Sequence, residues 1–381
     1  MKPTTNEPLL YAASNSDADL RWFTQFDCCD PFLAFGVRGK RYALTHRLEY
    51  GRMIEEGCLD EVLLWDDIAK DAGHGTGKKK LELVDLIRHL QKTYRINSFR
   101  VPRKFPAGLH ADLRKSGARL NIAKGEMFPE RAIKTRSEVK LLRESNRVTG
   151  LAHKMVRRVL SEATIGARSV LKWNGKTLTS EILRQMIDQA CLANGSIPVL
   201  ANIAAPHEQV LNNHFVGAGP IRAHQTLVVD IFPRMARSGY YGDITRTYIK
   251  GKPSPEQKRL YNTVRKGQQL AISLIRHGVD GRVPFKAVAD FFVEQGFEPG
   301  EYQGRSTGFR HGLGHGLGLD VHEAPNMGNR KGELLQTGNV VTIEPGLYYP
   351  GLGGVRIEDV VLVTKNGCEL LSKLPYTWVI P

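Results

Sequence analysis

The chain is 381 residues long, of which 41% are hydrophobic and 24% are charged. This composition is typical of a globular protein, and the length predicts about two domains, each able to bury a core. No apolar run approaches the roughly 18 residues of a membrane span, so we expect no membrane partner. The five cysteines suggest neither a disulfide framework nor a CxxC metal motif. The first residues lack the basic start and long apolar stretch of a secretory signal, so we expect a cytoplasmic protein.

The charge is strongly basic, with 54 Lys and Arg residues against 39 Asp and Glu residues and a formal net charge of +15. Such an excess can favour nucleic acid or another acidic surface. The positive residues are nevertheless scattered along the chain, and the densest run, Lys78–Lys80, opens a predicted helix. We therefore interpret the charge as a solvated basic surface and expect no specific nucleic-acid partner.

Residues 1–130 alternate short apolar runs of β type with helical runs. The clearest β-type runs are PFLAF (31–35), EVLLW (61–65) and NSFRVP (97–102). The segment 78–94 has apolar residues at helical spacing and so predicts an amphipathic helix. The whole pattern predicts an α/β domain, and this region carries no chemical motif of its own.

A helix start marks the boundary to the second region. Thr135 and Glu138 have the spacing of a capping box, in which each side chain accepts a hydrogen bond from a backbone N–H at the helix start. A long helical pattern follows them. We therefore place the boundary near residues 129–136, with one domain over 1–130 and a second over 131–381.

Two pairs of acidic residues in the second region have matching surroundings. Asp230 ends an apolar, β-branched run, and Asp243 follows 13 residues later beside another such run. Glu344 and Glu358 repeat this arrangement with a separation of 14 residues. A strand, a turn rich in Gly or Pro and a returning strand would bring the two acids of each pair together.

His315 lies between the two pairs, in a glycine-rich stretch that also contains His311 and His322. The glycines argue against a helix here, whereas an extended strand would place His311 and His315 on the same face. Four carboxylates and one imidazole crowded together are unfavourable unless cations lie between them. The sequence therefore predicts a dinuclear metal site.

The ligand chemistry suits several divalent ions. An oxygen-dominated set with one imidazole fits Mn²⁺, Co²⁺, Fe²⁺ or Zn²⁺, and the sequence does not separate these metals. Two ions about 3.5–4 Å apart can share a water molecule, lower its pKa towards neutrality and polarise a carbonyl group. The predicted ligands are Asp230, Asp243, His315, Glu344 and Glu358.

The second region contains four distinctive segments, namely GDITRT (242–247), HGLGHGLGLDVHE (311–323), TIEPGLYY (342–349) and GGVRIED (353–359). In order and approximate spacing they resemble the motifs of the pita-bread metallopeptidases, the family of aminopeptidase P, prolidase and methionine aminopeptidase. The resemblance implies an α+β fold with two domains. A creatinase-like N-terminal α/β domain would precede a pita-bread catalytic domain, whose two similar halves surround a pseudo-twofold axis.

The resemblance also implies how the metal ions are held. Asp243 and Glu358 would bridge two divalent ions, and Asp230 would bind one of them. His315 and Glu344 would bind the other ion, and Glu344 would also relay the proton that the attacking water loses. We take manganese as the first choice of metal, with cobalt, zinc and iron as alternatives.

Further residues receive substrate-side roles from the resemblance. His214, in NNHFVG, falls where the family keeps a histidine upstream of the first Asp. His311 and His322 would line the same pocket, and Arg356 would orient a bridging carboxylate or contact the substrate. The imidazole of His214 or His322 would donate or position a proton for the leaving proline nitrogen.

The N-terminal domain and the complete ligand set favour a proline-directed exopeptidase. By the resemblance, methionine aminopeptidases carry only a short extension, and creatinase-type or binding relatives lack the metal ligands. We predict a Xaa-Pro aminopeptidase, which removes the first residue from peptides with proline in second position. A prolidase acting on Xaa-Pro dipeptides is the alternative within the same class, and a metal-binding, non-catalytic protein of the same fold is the alternative outside it. The resemblance also implies a homodimer.

One segment departs from the family pattern. Relatives follow the first Asp with a small residue and Gly, and they reach the second Asp two residues sooner. Here Ile231, Phe232 and Pro233 follow Asp230, and the turn to Asp243 is longer. Because the ligands are retained, we expect the longer turn to alter the pocket rim and substrate choice rather than metal binding.

Overall fold

The computed structural model describes residues 3–73, 81–329 and 333–381. The chain divides into two compact units, Met1–Arg131 and Ala132–Pro381. None of the helices in the described ranges is long and apolar enough to cross a membrane.

The first unit is a mixed sheet with helices packed on it. Its strands and helices are β1 (Glu7–Ala12), α1 (Ala18–Thr24), β2 (Phe32–Val37), β3 (Lys40–Thr45), α2 (Arg47–Glu56), β4 (Glu61–Leu64), α3 (Trp65–Asp71), α4 (Leu83–Thr93), β5 (Phe99–Val101), α5 (Ala107–Lys115) and β6 (Leu120–Ile122). The sheet order is β4-β3-β2-β1-β5-β6. Strand β2 is antiparallel to β1 and β3, whereas the pairs β3/β4, β1/β5 and β5/β6 are parallel.

Apolar residues cover both faces of this sheet. Leu9 and Leu33 pack in one buried cluster with α4, and the adjacent residues Leu10 and Ala34 pack in another cluster with α1. This division follows from the alternation of side chains along a strand. It explains why the strands are apolar runs without a polar face.

Helix α4 is shorter than the predicted helix over 78–94. It begins after Glu82, whose side chain forms a capping box with Asp85, so the capping residues fix the start at Leu83. Residues 78–80 of the prediction lie outside the described residues.

The second unit begins with a long helix and contains two larger sheets, which are antiparallel except for the parallel pair β14/β24, and several smaller ones. Its strands and helices are α6 (Arg136–Glu162), β7 (Thr164–Ile165), β8 (Leu171–Trp173), β9 (Lys176–Thr177), α7 (Ser180–Leu192), β10 (Ser196–Ile197), β11 (Ile203–Pro206), β12 (Leu227–Ile231), β13 (Arg234–Met235), β14 (Ile244–Lys250), α8 (Pro255–Leu274), α9 (Arg282–Glu294), β15 (Gly300–Tyr302), β16 (Arg305–Thr307), β17 (Gly314–Gly316), β18 (Glu323–Met327), β19 (Val340–Ile343), β20 (Gly346–Tyr349), β21 (Gly353–Arg356), β22 (Asp359–Val363), β23 (Cys368–Leu370) and β24 (Val379–Ile380). Short 3₁₀ turns cover Pro129–Ala132, Ala167–Ser169 and His207–Leu211.

The second unit consists of two halves with the same layering. Helices α6 and α7 share a core with the sheet β11-β12-β14-β24, and α8 and α9 share a core with the sheet β18-β17-β19-β22-β23. Each half thus presents a helix pair followed by a sheet. The arrangement agrees with the two similar halves expected for the catalytic domain.

Helix α6 begins where the sequence predicts. Thr135 Oγ1 accepts from the backbone N–H of Glu138 at 3.3 Å, and the Glu138 carboxylate accepts from the backbone N–H of Thr135 at 2.8 Å. The predicted capping box is therefore confirmed. The buried face of the helix includes Ala152, Val156 and Val159, which pack on the first sheet.

Gly242 allows the chain before β14 to approach α6 closely. A Cβ atom at this position would lie 2.5 Å from the backbone oxygen of Ser145. We expect Gly242→Ala to lower the free energy of unfolding by about 1–3 kcal/mol, because the backbone must move away from the helix. Denaturant titration of the purified protein measures this change.

Gly150 on α6 provides the matched control, because no neighbouring atom lies within 4 Å of a Cβ added there. Gly150→Ala should raise the free energy of unfolding by about 0.5–1 kcal/mol, since alanine favours a helix over glycine. Equal stabilities of the two alanine variants would contradict the close approach at Gly242.

Candidate metal centre and active site

Asp230 and Asp243 belong to two neighbouring strands of the first half, one within its strand and the other just before it. Asp230 is in β12, where it pairs with Thr245 of β14, and Asp243 immediately precedes β14. The antiparallel pairing of β12 and β14 confirms the predicted hairpin. The pairing of the two strands therefore brings the two carboxylates close enough to interact electrostatically.

Glu344 and Glu358 occupy the corresponding positions in the second half. Glu344 directly follows β19, Glu358 directly precedes β22, and the adjacent residues Ile343 and Asp359 are register partners. The smaller hairpin of β20 and β21 forms the connection between them. The second predicted hairpin is thus confirmed, with an additional pair of strands inside its turn.

His315, on strand β17, lies beside these acids. Its Nε2 atom lies 3.5 Å from Glu344 Oε1 and 3.8 Å from Asp243 Oδ2. One ligand atom from each of Asp243, His315 and Glu358 lies within 4.8 Å of the others. Asp230 lines the same cavity. The structure therefore brings the five candidate ligands together.

The prediction that His311 and His315 share a strand face is wrong. The strand that contains His315 covers only Gly314–Gly316, and His311 lies in the irregular segment before it. Glycines at alternate positions permit such a loop as readily as a strand. His311 nevertheless reaches the cavity, where its Nε2 lies 2.8 Å from Tyr348 Oη and its Nδ1 lies 2.8 Å from the Gly312 oxygen.

Burial determines the charge state of the clustered groups. Desolvation and neighbouring carboxylates raise the pKa of Asp243 and of Glu358 well above the usual carboxyl range. Desolvation raises the pKa of Glu344 to about 8, although the Arg356 guanidinium opposes this shift. Desolvation also lowers the pKa of His315 to about 3, so its imidazole is neutral and can offer a lone pair.

The donor set fits divalent metal ions. Asp230 Oδ1 is buried and has no hydrogen-bond partner among the described residues, while Oδ2 of the same carboxylate accepts from Arg356 at 2.7 Å. A buried carboxylate oxygen without a partner is costly unless a cation contacts it. Several carboxylates with one neutral imidazole match the preferences of Mn²⁺, Fe²⁺, Co²⁺ and Zn²⁺.

Two polar residues that the sequence analysis did not assign support the acids. Thr245 Oγ1 donates to Glu358 Oε2 at 2.7 Å, and Asn146 Oδ1 accepts from the backbone N–H of Asp243 at 3.3 Å. Thr245 lies within the distinctive segment GDITRT, but the segment itself does not indicate its contact with Glu358. Asn146 comes from α6 and carries no local signal.

A buried ion pair lies directly behind Glu358. Arg246 Nη2 donates to Asp359 Oδ1 at 2.8 Å, and Arg246 Nη1 donates to the backbone oxygen of Glu358 at 2.6 Å. Asp359 accepts further hydrogen bonds from Gln268, Ser372 and Tyr376. The backbone that carries Glu358 is therefore held by a charged network with satisfied partners.

A cavity of about 450 Å³ lies against the acid cluster. The sequence-predicted site residues all line it, namely His214, Asp230, Asp243, His311, His315, His322, Glu344, Arg356 and Glu358. The His322 ring is nearly perpendicular to that of His315, with centroids 4.2 Å apart. His214 is exposed to solvent.

Arg356 contacts Asp230 directly and Glu358 through Thr245. Its guanidinium donates to Asp230 at 2.7 Å and to Tyr348 Oη at 3.2 Å. Arg356 Nε also donates to Thr245 Oγ1 at 3.4 Å, and Thr245 donates to Glu358, which the resemblance assigns as a bridging carboxylate. Arg356 also lines the cavity.

The longer turn after Asp230 contains a short strand, β13. Strand β13 within it pairs with β10, and Phe232 lines the cavity. Other apolar lining residues are Leu200, Ala201, Ile203, Val216 and Val321. Part of the cavity wall is therefore apolar.

Comparison with known proteins identifies the family. The model of metallopeptidase family M24 matches residues 140–365, which is more than half of the chain. The chain belongs to this family. It is therefore a metal-dependent peptidase, and the resemblance inferred from its motifs is confirmed.

Curated relatives extend the similarity beyond the family model. A protein named Xaa-Pro dipeptidase from Pyrococcus horikoshii is 30% identical over 283 residues, which are 73% of this chain and 74% of the relative. An uncharacterized peptidase of Methanocaldococcus jannaschii is 30% identical over 348 residues, or 90% of this chain and 82% of the relative.

Solved structures share the fold along nearly the whole chain. A Xaa-Pro dipeptidase from Bacillus anthracis has a TM-score of 0.81 and 23% identity, covering 99% of this chain and 95% of its own. An X-Pro aminopeptidase from Thermotoga maritima also has a TM-score of 0.81, with 21% identity and coverage of 98% and 97%. These likenesses confirm the predicted α+β pita-bread fold with its N-terminal α/β domain.

The crowded acids predict a pH-dependent effect of metal. The folded pKa of Glu344, about 8, lies above its ordinary 4.5, so the metal-free folded state binds more protons than the unfolded state between these values. The stability contribution of Glu344 is therefore present at low pH and lost as the pH rises towards 8. Added Mn²⁺ should raise the melting temperature more at about pH 8 than at about pH 5.5, because metal competes with protons.

Thermal melting with Mn²⁺ and with EDTA, across this pH range, measures the effect. His315→Ala should remove most of the increase caused by Mn²⁺. A melting temperature that is equal with metal and with chelator at the higher pH would contradict a metal site in this cluster.

Proposed function

We propose that this chain is a Xaa-Pro aminopeptidase, which hydrolyses the peptide bond before proline and releases the first residue. The observation that carries the proposal is the meeting of four carboxylates and His315 beside one cavity of about 450 Å³. Cavities of about this size are typical of sites for small ligands. Relatives named Xaa-Pro dipeptidase and X-Pro aminopeptidase support the same class of substrate.

Two divalent metal ions are the proposed cofactors, with manganese first and cobalt, zinc or iron as alternatives. Asp243 and Glu358 would bridge them, Asp230 would bind one ion, and His315 and Glu344 would bind the other. Bound ions supply Lewis acidity, which lowers the pKa of a water molecule and polarises a carbonyl group. The network behind Glu358 and the bond from Thr245 keep the bridging carboxylate oriented.

Glu344 is the proposed proton relay. Its side chain is 19% exposed and lines the cavity, so it can reach a water molecule beside the substrate. Glu344 would accept the proton that the water loses and return it to the leaving nitrogen. His322 and His214 also line the cavity, and either imidazole can donate or position a proton there.

His311 has a more fixed position than the other two imidazoles. Both of its ring nitrogens have hydrogen-bond partners, Tyr348 Oη and the backbone oxygen of Gly312. Its orientation is therefore set by the protein. We propose that His311 shapes the wall of the substrate pocket and does not shuttle the proton.

The apolar part of the wall suits proline. A prolyl peptide bond has no N–H, so a site that cleaves it needs no acceptor for that group. The side chains of Ile203, Val216 and Phe232 present apolar surface to the cavity. A proline ring can be buried against them without leaving a polar group unpaired.

The charged lining favours an aminopeptidase over a prolidase. A dipeptide ends in a free carboxylate at the proline, and its burial requires a cation. Among the described residues that line the cavity, Arg356 alone carries a permanent positive charge, and it already bonds Asp230 and Tyr348. A longer peptide continues beyond proline as a neutral amide and needs no such partner.

Prolidase activity is the second candidate, because the Pyrococcus horikoshii relative is named Xaa-Pro dipeptidase. A metal-binding protein without catalysis is the third candidate. A pocket closed by the longer turn after Asp230 would favour this candidate, whereas the cavity beside Phe232 has room for a ligand. The proposed homodimer rests on the family resemblance alone.

Hydrolysis of an Ala-Pro dipeptide and an Ala-Pro-Ala tripeptide, with Mn²⁺ and with EDTA, tests these candidates. We expect Mn²⁺-dependent release of alanine from the tripeptide, because its neutral continuation fits the lining. Cleavage of the dipeptide alone would favour a prolidase. Bound metal without cleavage of either peptide would favour the non-catalytic protein.

Replacement of Glu344 tests the proton relay. Glu344→Gln should lower kcat for the tripeptide by about 10²–10⁴-fold, since proton transfer by a positioned side chain contributes rate factors of this size. Bound metal, measured by elemental analysis, distinguishes a lost relay from a lost ion. The control Glu301→Gln, at an exposed position of β15, should retain wild-type turnover. Unchanged turnover of Glu344→Gln with metal bound would remove the relay.

A further inference from the structure

Arg310 joins the two chain segments that carry His214 and His311. Its Nε and Nη2 atoms donate to Asn213 Oδ1 at 3.1 and 2.6 Å. Asn213 directly precedes His214, and Arg310 directly precedes His311. A single pair of side chains thus connects two histidine-bearing segments that are 97 positions apart in sequence.

The same guanidinium contacts further parts of the site wall. It donates to the backbone oxygen of Val210 at 3.2 Å and to that of Ser306 at 2.6 Å. Its central carbon lies 4.8 Å from the centroid of the Tyr348 ring, a distance typical of a cation–π contact. Tyr348 in turn bonds His311. Arg310 therefore contacts the segment before His214 and the tyrosine that orients His311.

Apart from the bonds of Arg310, the hydrogen bonds of residues 212–215, which carry His214, are local turn bonds. Residues 216–219, by contrast, are bonded to Ala204, Gln209 and Glu181. Residues 212–219 form turns and irregular backbone between the 3₁₀ turn His207–Leu211 and β12, and His214 and Phe215 are exposed. Few buried contacts and irregular backbone are features of segments that open locally. The bonds from Arg310 to Asn213 therefore restrain this segment, as strand pairing restrains the segment that carries Asp230.

We propose that Arg310 is a positioning residue, which clamps the His214 segment to the His311 segment and so holds both imidazoles at the cavity. Arginine suits this task because its planar fork donates in several directions while its face stacks on an aromatic ring. A lysine ammonium in the same place could not make the paired bonds to Asn213 and the ring contact together. The catalytic consequence rests on the proposed peptidase function, whereas the structural consequence does not.

Hydrogen–deuterium exchange of the amides in residues 212–216 tests the clamp without reference to activity. Arg310→Met, Arg310→Lys and Asn213→Ala should each increase the exchange rate of this segment by about tenfold or more, because the closing contact is lost. Asn213→Asp keeps the acceptor oxygen and should retain slow exchange. Arg305→Met removes an exposed positive charge nearby and should also leave exchange unchanged.

Steady-state kinetics with an Ala-Pro-Ala substrate test the catalytic consequence. Arg310→Met and Arg310→Lys should lower kcat by about 10- to 100-fold with KM changed less than about threefold, as expected when supporting contacts of catalytic groups are lost. Arg305→Met should retain wild-type kinetics. The melting temperature of each variant shows whether a loss reflects global unfolding, and assays are run well below it.

The outcomes separate the clamp from the proposed function. Slow exchange in Arg310→Met would overturn the clamp, whether or not the protein cleaves peptides. Full rescue of exchange and kcat by Arg310→Lys would overturn the role of the guanidinium fork. A rise in KM with unchanged kcat would make Arg310 a substrate contact and overturn positioning. An inactive wild-type protein with fast exchange only in the clamp variants would refute the peptidase function and support the clamp.

Discussion

Repulsion among buried carboxylates is the constraint on which the second unit depends. Two hairpins place Asp243, Glu344 and Glu358 in one desolvated cluster, where their pKa values rise. The strand pairs beside these acids hold them together at the wall of the cavity. Such a site must take up either protons or cations. Its chemistry and its contribution to stability therefore have the same physical origin.

Fixed cations neutralise the acids that surround this cluster. Arg246 pairs with Asp359 behind one hairpin, and the fully buried Lys134 pairs with Glu323 at 2.5 Å beside His322. Removing one partner from a buried pair leaves an uncompensated charge, which costs about 3–5 kcal/mol. Asp230 is neutralised only in part. One of its oxygens accepts a hydrogen bond from Arg356, and the other has no partner among the described residues. Side-chain cations of the protein thus neutralise Asp359, Glu323 and one oxygen of Asp230. The remaining acids of the cluster are left to protons or to bound metal ions.

The sequence predicted those features whose signals are local. The four acids were found because each adjoins a strand-like run, and α6 was placed by the capping residues Thr135 and Glu138. The strand through His311 was wrong because alternate glycines fit a loop equally well, and a distant tyrosine fixes that imidazole. The contact of Asn146 with Asp243 spans 97 positions and leaves no trace in either neighbourhood. Long-range side-chain partners of this kind require the three-dimensional structure.

The contact between Arg356 and Asp230 connects residues 126 positions apart, and the candidate ligands span the same two halves. An ion bound there would close a long chain loop, and the entropic effect of such a link grows with loop length, yet chelation would undo it. Because the candidate ligands come from both halves, such a link would form only after both halves have folded. Interactions absent from the folding transition state chiefly slow unfolding. Metal would therefore act on the lifetime of the native state, and a loaded molecule would resist forced unfolding and thermal inactivation longer than an empty one.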